Sequence, residues 1–181
     1  FRKKPEQVFL FTGTMLAVLY LLLLPPLSVP DEEVHFKEAY YHLNRIMGKQ
    51  QTEGTVFMDT EDFHGMQKFE TTPSLCEYDR LKEAVFKKGR EAGVTEVDRF
   101  DTQAPMVTYL PGMAGIFLGK AFGLNGVMVI VLGRICSILF YLFTMYWMIR
   151  LMPMGKGAAF IMAILPMTIQ QCCSYSYDSV V

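Results

Sequence analysis

VFLFTGTMLAVLYLLLLPPL, residues 8–27, is the stretch whose reading decides the class of this protein. It carries no charge, is interrupted only by Thr and Gly, and closes on Pro25-Pro26. Twenty residues at ~1.5 Å rise cover roughly 30 Å, the thickness of a bilayer core. Arg2-Lys3-Lys4 precede the run, as they would in a signal peptide. Pro25-Pro26-Leu27-Ser28 is not a small-residue cleavage site, so the run reads as an uncleaved anchor helix.

Two further spans follow from the same reasoning. Residues 126–150 are rich in Val, Ile, Leu, Phe and Tyr and end in Arg150. Residues 157–177 form the third, with Pro166 read as a tolerated interior kink. The connector between them carries Arg150 and Lys156 and no acid. By the positive-inside rule this turn and the N-terminus face the cytoplasm, and residues 28–125 and Asp178 lie outside. The expected fold is therefore an all-α, multi-pass cell-membrane protein in one membrane domain over residues 1–181. Three transmembrane helices would carry a large extracytoplasmic loop with amphipathic interfacial helices. The chain begins at Phe1 and stops at Val181 without a polar tail, and it reads as the N-terminal part of a longer protein.

Composition agrees. Hydrophobic residues make up 51% of the chain, mean hydropathy is +0.24, and there are 13 Met and 14 Phe, many for a soluble domain. Sixteen of the eighteen acidic and ten of the seventeen basic residues fall between Asp31 and Asp101. The net charge of −1 gives no reason to expect a nucleic-acid partner.

Within the loop, residues 31–47 have helical period. Asp31, His35, Glu38, His42 and Arg45 fall in a stripe about 80° wide, with Phe36, Tyr40, Leu43 and Met47 opposite. Such a helix is expected to lie along the membrane surface with its apolar face down. A second helix is expected over 78–92, stopped by Gly93. A third runs over 111–122, apolar except for Lys120, which is expected to snorkel to the headgroups. The polar stretch 50–73 carries no assignable pattern.

The acids directly after the first span are the first candidates for chemistry. A carboxylate held at a membrane surface among apolar groups can act as general base on an acceptor hydroxyl, while its neighbour orients it. A solvated, helix-capping cluster has the same spacing. Arg134 sits roughly 12 Å deep in the second span, where an ionisable residue implies function. It suits bidentate contact with a phosphate, or a structural ion pair. Asp178, beside Ser174, Ser176 and Tyr177, offers a second outer acid or a polar helix end. His35, Glu38 and His42 have the spacing of a metal face, but a solvated or hydrogen-bonded stripe is the preferred reading. No metal site is assigned, no cofactor motif is present, and dependence on a divalent metal stays open. Cys76, Cys172 and Cys173 share the outer side without forming a disulfide framework.

Five short motifs occur in order: Pro30-Asp31-Glu32-x-x-His35-Phe36 with Ala39-Tyr40, Tyr109-Leu110-Pro111, Gly133-Arg134, Leu165-Pro166-Met167, and Ser176-Tyr177-Asp178. Together they resemble domain-of-unknown-function family 2142, a set of predicted bacterial membrane proteins. That family in turn looks like the GT-C glycosyltransferases, in which an Asp-Glu pair in the first outer loop lies beside the acceptor. The resemblance implies a polyprenyl-phosphate-linked sugar donor and a glycan or protein acceptor on the extracytoplasmic face. Asp31 and Glu32 would be catalytic, and His35, Arg134 and Asp178 would bind substrate. Protein O-mannosyltransferases carry Asp-Glu-Val-His-Phe here. The present chain has one more residue before His35, so Glu32-Glu33 is also a possible pair; Asp31-Glu32 is preferred because Asp31 shares the His35 stripe. The three-span piece alone would be inactive, since the GT-C cavity needs more helices. A transporter or lipid flippase, or a non-catalytic envelope-assembly protein, fits the spans as well.

The charge asymmetry makes a topology prediction. In intact cells, a cysteine at Thr55 should react with an impermeant thiol reagent and one at Gly155 should not. The opposite labelling would invert the orientation.

Overall fold

The computed structural model describes residues 4–49, 52–68, 79, 82–83, 85–86 and 91–176. These residues are mostly helical, and two of the helices are long and apolar enough to cross a membrane. The first, α1 (Pro5–Leu23), has Pro at its first position, where a missing N–H costs nothing. It ends at Leu24, which precedes Pro25 and is therefore pushed into extended geometry.

The segment after α1 then alternates helix and strand: α2 (Glu32–Ile46), β1 (Thr55–Asp59), α3 (Thr60–Gln67) and β2 (Val94–Asp98). A 3-10 turn (Met106–Tyr109) leads into α4 (Leu110–Ala121), and the second helix long and apolar enough to cross is α5 (Gly126–Leu151). Asn125 caps α5, its side chain accepting from the Met128 amide at 3.0 Å.

The chain closes with α6 (Lys156–Ala163) and α7 (Pro166–Cys172) in place of the single span expected over 157–177. Pro166 acts as a break, not a kink. Leu165 precedes it and is extended, so the helix stops and restarts. The Tyr141 hydroxyl donates to the Ala163 carbonyl freed at the break, at 2.7 Å.

Two cores result. In one, Phe9 and Ala17 of α1 pack with Ile138, Tyr141, Leu142 and Ile149 of α5, and Ala159, Ala163 and Ile169 complete it. In the other, Phe36, Tyr40 and Leu43 of α2 meet Val56 and Met58 of β1, Met113 and Ile116 of α4, and Ile130 of α5. Residues 32–46 are helical as the period predicts, and Phe36, Tyr40 and Leu43 are buried, whereas Met47 is 47% exposed. The middle of the opposite stripe is buried too: His35 and Glu38 are covered by the segment from Arg99 to Tyr109, whereas Asp31 and Arg45 at its ends are exposed.

The expectation of an all-α chain also needs correction. β1 and β2 pair antiparallel, Thr55 opposite Asp98 and Asp59 opposite Val94. Val56 and Met58 turn inward, a period of two hidden in the unassigned stretch 50–73. The strands are too far apart in sequence to give a hairpin signal. The helix expected over 78–92 falls mostly outside the described residues, although Asp79, Lys82, Glu83, Val85 and Phe86 are helical.

α4 folds back on α5 through a turn at Gly123, whose φ of 65° is left-handed. The two helices touch almost backbone to backbone: a Cβ at Gly115 would lie 2.3 Å from the Cα of Gly133. Small residues at such a seam permit close approach. Gly115→Ala should therefore force the helices apart and cost about 1–3 kcal/mol, as overpacking does. A thermal melt in detergent reads this, with Gly157→Ala, which meets nothing within 4 Å, as the neutral control.

Candidate functional site

The site is organised by the link from α1 to α2. Leu27 and Asp31 both adopt left-handed backbone, with φ of 62° and 60°. Asp tolerates that conformation and Leu does not, so the link is held by its surroundings. The Asp31 carbonyl accepts from the His35 amide at 3.0 Å, starting the helix, but its side chain caps nothing and is exposed.

The next residue points the other way. Glu32 is fully buried, and its Oε1 lies 3.3 Å from Nε of Arg134, itself 1% exposed. Arg134 also donates to two main-chain carbonyls: Nη1 to Leu24 at 3.0 Å, and Nε to Cys173. Its Nη2 has no hydrogen-bond partner among the described residues. Burial pushes the Glu32 carboxyl above the usual carboxylate range. The Arg134 guanidinium and the backbone amides of Val29, Leu27 and Tyr175 act against that shift. The sequence thus identified Arg134 and the acid pair, and the structure assigns the ion pair to Glu32 while leaving Asp31 in the open.

His35 belongs to a separate chain of hydrogen bonds. Its Nδ1 lies 3.1 Å from the Tyr109 hydroxyl, which lies 2.9 Å from Oγ1 of Thr102. One turn on, Glu38 pairs with Arg99, whose guanidinium stacks 3.8 Å over the Tyr41 ring. The His42 Nε2 sits 3.6 Å from Glu38. Burial, helped by Arg99 and Arg45, lowers the His42 pKa, with Asp101 acting against it. Among the described residues no group of three or more His, Cys, Asp or Glu is arranged to hold a metal, and Arg99 occupies Glu38 of the His35, Glu38 and His42 stripe.

Asp178 and Cys76 lie outside the described residues. The neighbours of Asp178 are not a loose polar end: Ser174 and Ser176 are buried, and the Tyr175 hydroxyl donates to Ile130 at 3.2 Å. Lys120 does not reach outward. Its Nζ donates to the Tyr40 hydroxyl at 2.7 Å and pairs with Asp59 at 3.0 Å, while Tyr40 donates to Asp62 at 2.9 Å. Arg99, Asp59 and Asp62 were not singled out in the sequence. Their partners are remote along the chain, and no local spacing marks them.

With the geometry in place, family membership follows. The chain belongs to the family of predicted membrane proteins termed DUF2142, whose family model matches residues 14–181. Neither a curated protein nor a solved structure matched the chain.

A buried pair that loses one partner leaves a bare charge, so Arg134→Met should cost about 3–5 kcal/mol. Adding Glu32→Gln should recover part of the loss in a thermal-melt cycle. The pH dependence has a definite sign. A carboxyl whose folded pKa is raised contributes most below its unfolded pKa and loses that contribution as pH rises through the folded one. Wild-type stability relative to Glu32→Gln should therefore fall as pH climbs above the ordinary carboxylate range.

Proposed function

We propose that this member of the family is a membrane-embedded glycosyltransferase, moving a sugar from a polyprenyl-phosphate donor to an acceptor hydroxyl on the extracytoplasmic face. One observation carries the reading. Asp31 is an exposed carboxylate in left-handed backbone, directly after a membrane-crossing helix, beside a Glu32 clamped to Arg134. Asp is one of the few non-glycine residues that tolerate this conformation, and backbone held in it gathers where position matters for chemistry.

In this reading the acceptor oxygen attacks the anomeric carbon, and the sugar–phosphate bond breaks. Asp31 takes the acceptor proton, and polyprenyl phosphate leaves. Glu32 acts as a positioning residue, because its anchoring fixes where Asp31 stands. Arg134 is already engaged by Glu32 and two carbonyls and its Nη2 is buried, which favours the structural half of its two roles. Asp178 would contact substrate from the outer side, while His35, buried against Tyr109, would be a positioning residue. Arg150 and Lys156 would face the cytoplasm, α2 to α4 the outside, and α6 with α7 would make a third, broken crossing.

Asp31→Asn separates a base from a cap. The side chain caps nothing, so its stability effect should stay within about 1 kcal/mol. Loss of a general base should slow transfer ~10²–10⁴-fold. The assay is sugar transfer from a polyprenyl-phosphate donor by the whole protein in membranes, beside a melt of the same variant. Near-normal transfer would end the catalytic assignment and leave a transporter or assembly role.

A further inference from the structure

The two crossing helices do not close on each other along their whole length. α1 meets α5 through Phe9, Gly13 and Ala17, with a Cβ at Gly13 only 3.0 Å from Leu142. One face over, Leu10 and Thr14 stand apart from Leu139, Phe143, Tyr146 and Trp147, leaving a groove of about 690 Å³. Past Leu10, Thr14 and Tyr146 it continues into a hollow of about 540 Å³ that reaches Gln7. Its walls are almost wholly apolar, and Phe143 is 65% and Trp147 40% exposed.

The end of the groove is different. The Arg150 guanidinium lies 4.9 Å over the Trp147 ring, at the rim. Lys156 Nζ donates to the Arg150 carbonyl at 2.9 Å, which brings a second cation to the same place. Lys4 stands one turn before Gln7, its carbonyl accepting from the Gln7 amide at 3.0 Å. Glu6 is the acid at this end among the described residues, and it is turned inward, 7% exposed. Arg150 therefore stacks on a ring that lines the groove and Lys156 reaches the same helix end, while Lys4 lies one turn before Gln7 of the adjoining hollow.

We infer that this groove holds an anionic phospholipid, with an acyl chain along Leu10, Phe143 and Trp147 and its phosphate at Arg150 and Lys156. Charge complementarity selects the occupant. A second copy of this chain would bring its own Lys4, Arg150 and Lys156 to a mouth already positive, whereas a lipid phosphate neutralises it. Basic pockets between membrane helices recognise anionic headgroups in this way. Aromatic rings at the boundary suit a ligand that is apolar on one side and polar on the other. The inference does not depend on the transferase reading, because it concerns the opposite end of the helices.

The intact protein, delipidated in detergent, is titrated with phosphatidylglycerol and with phosphatidylcholine, and bound lipid is counted by native mass spectrometry. Phosphatidylglycerol should bind more tightly. Arg150→Gln with Lys156→Gln should weaken it by about fivefold per charge removed and leave phosphatidylcholine unchanged. Thr14→Trp, which fills the groove from an exposed position, should weaken both lipids while the melting midpoint in lipid-free detergent holds. Equal affinity for the two lipids, or a double variant that keeps the phosphatidylglycerol preference, would overturn the inference. So would a Thr14→Trp variant that binds lipid normally, or one that loses a dimer instead of lipid.

Discussion

A guanidinium buried in the first third of a long apolar helix has to find partners, and Arg134 finds them at the ends of three other helices. Leu24 and Cys173 close α1 and α7, and their carbonyls are among those that a helix end leaves without an internal partner. They also sit at the negative ends of their helix dipoles, which favours a cation there. Glu32 opens α2. One side chain thus satisfies two orphan carbonyls and one buried carboxylate, and fixes three chain directions relative to α5. Removing a charge from water costs several kcal/mol unless such partners are in place, so the positions of those helix ends and of Arg134 determine each other.

The lobe around α2 repeats the solution on a smaller scale. Lys120 and Arg99 are both drawn inward, each against an acid and the face of a tyrosine: Tyr40 for Lys120 and Tyr41 for Arg99. The two tyrosines are neighbours on α2, so the helix carries cations on two sides. One comes from α4 and the other from the strand that follows the segment 69–90. This is why the middle of α2 is covered on both faces. Its polar stripe faces protein, with Glu38 and His35 engaged by residues 61 and 74 positions further along the chain.

What the sequence revealed follows from which forces are local. The first and second spans, α2 and α4 were legible because apolar run length and helical period are properties of neighbouring residues. Arg134 stood out because a charge in an apolar run is rare. The strand β1 was hidden because its period of two extends over only five residues and its partner is remote. Lys120 was read as surface-seeking because nothing near it in sequence announces Asp59. Asp31 and Glu32, adjacent and chemically alike, could not be told apart by spacing. Their opposite fates depend on the left-handed turn at Asp31, which only the assembled link imposes.

The contact at Gly133 bears on the order of assembly. Gly115 presses on one side of that glycine, and the Tyr175 hydroxyl occupies the space where its Cβ would be. Tyr175 also meets Phe36 edge-on at 5.0 Å, so it bridges α2 and α5. A ribosome delivers α2, α4 and α5 well before it delivers residue 175. The ring of Tyr175 can enter its seat only once those helices have met, and the Cys173 carbonyl, two residues away, reaches Arg134 in the same movement. This short stretch after α7 therefore works as a keystone. Until it arrives, the guanidinium has Glu32 and Leu24 but not its third partner, and the nascent helices are gathered without being locked.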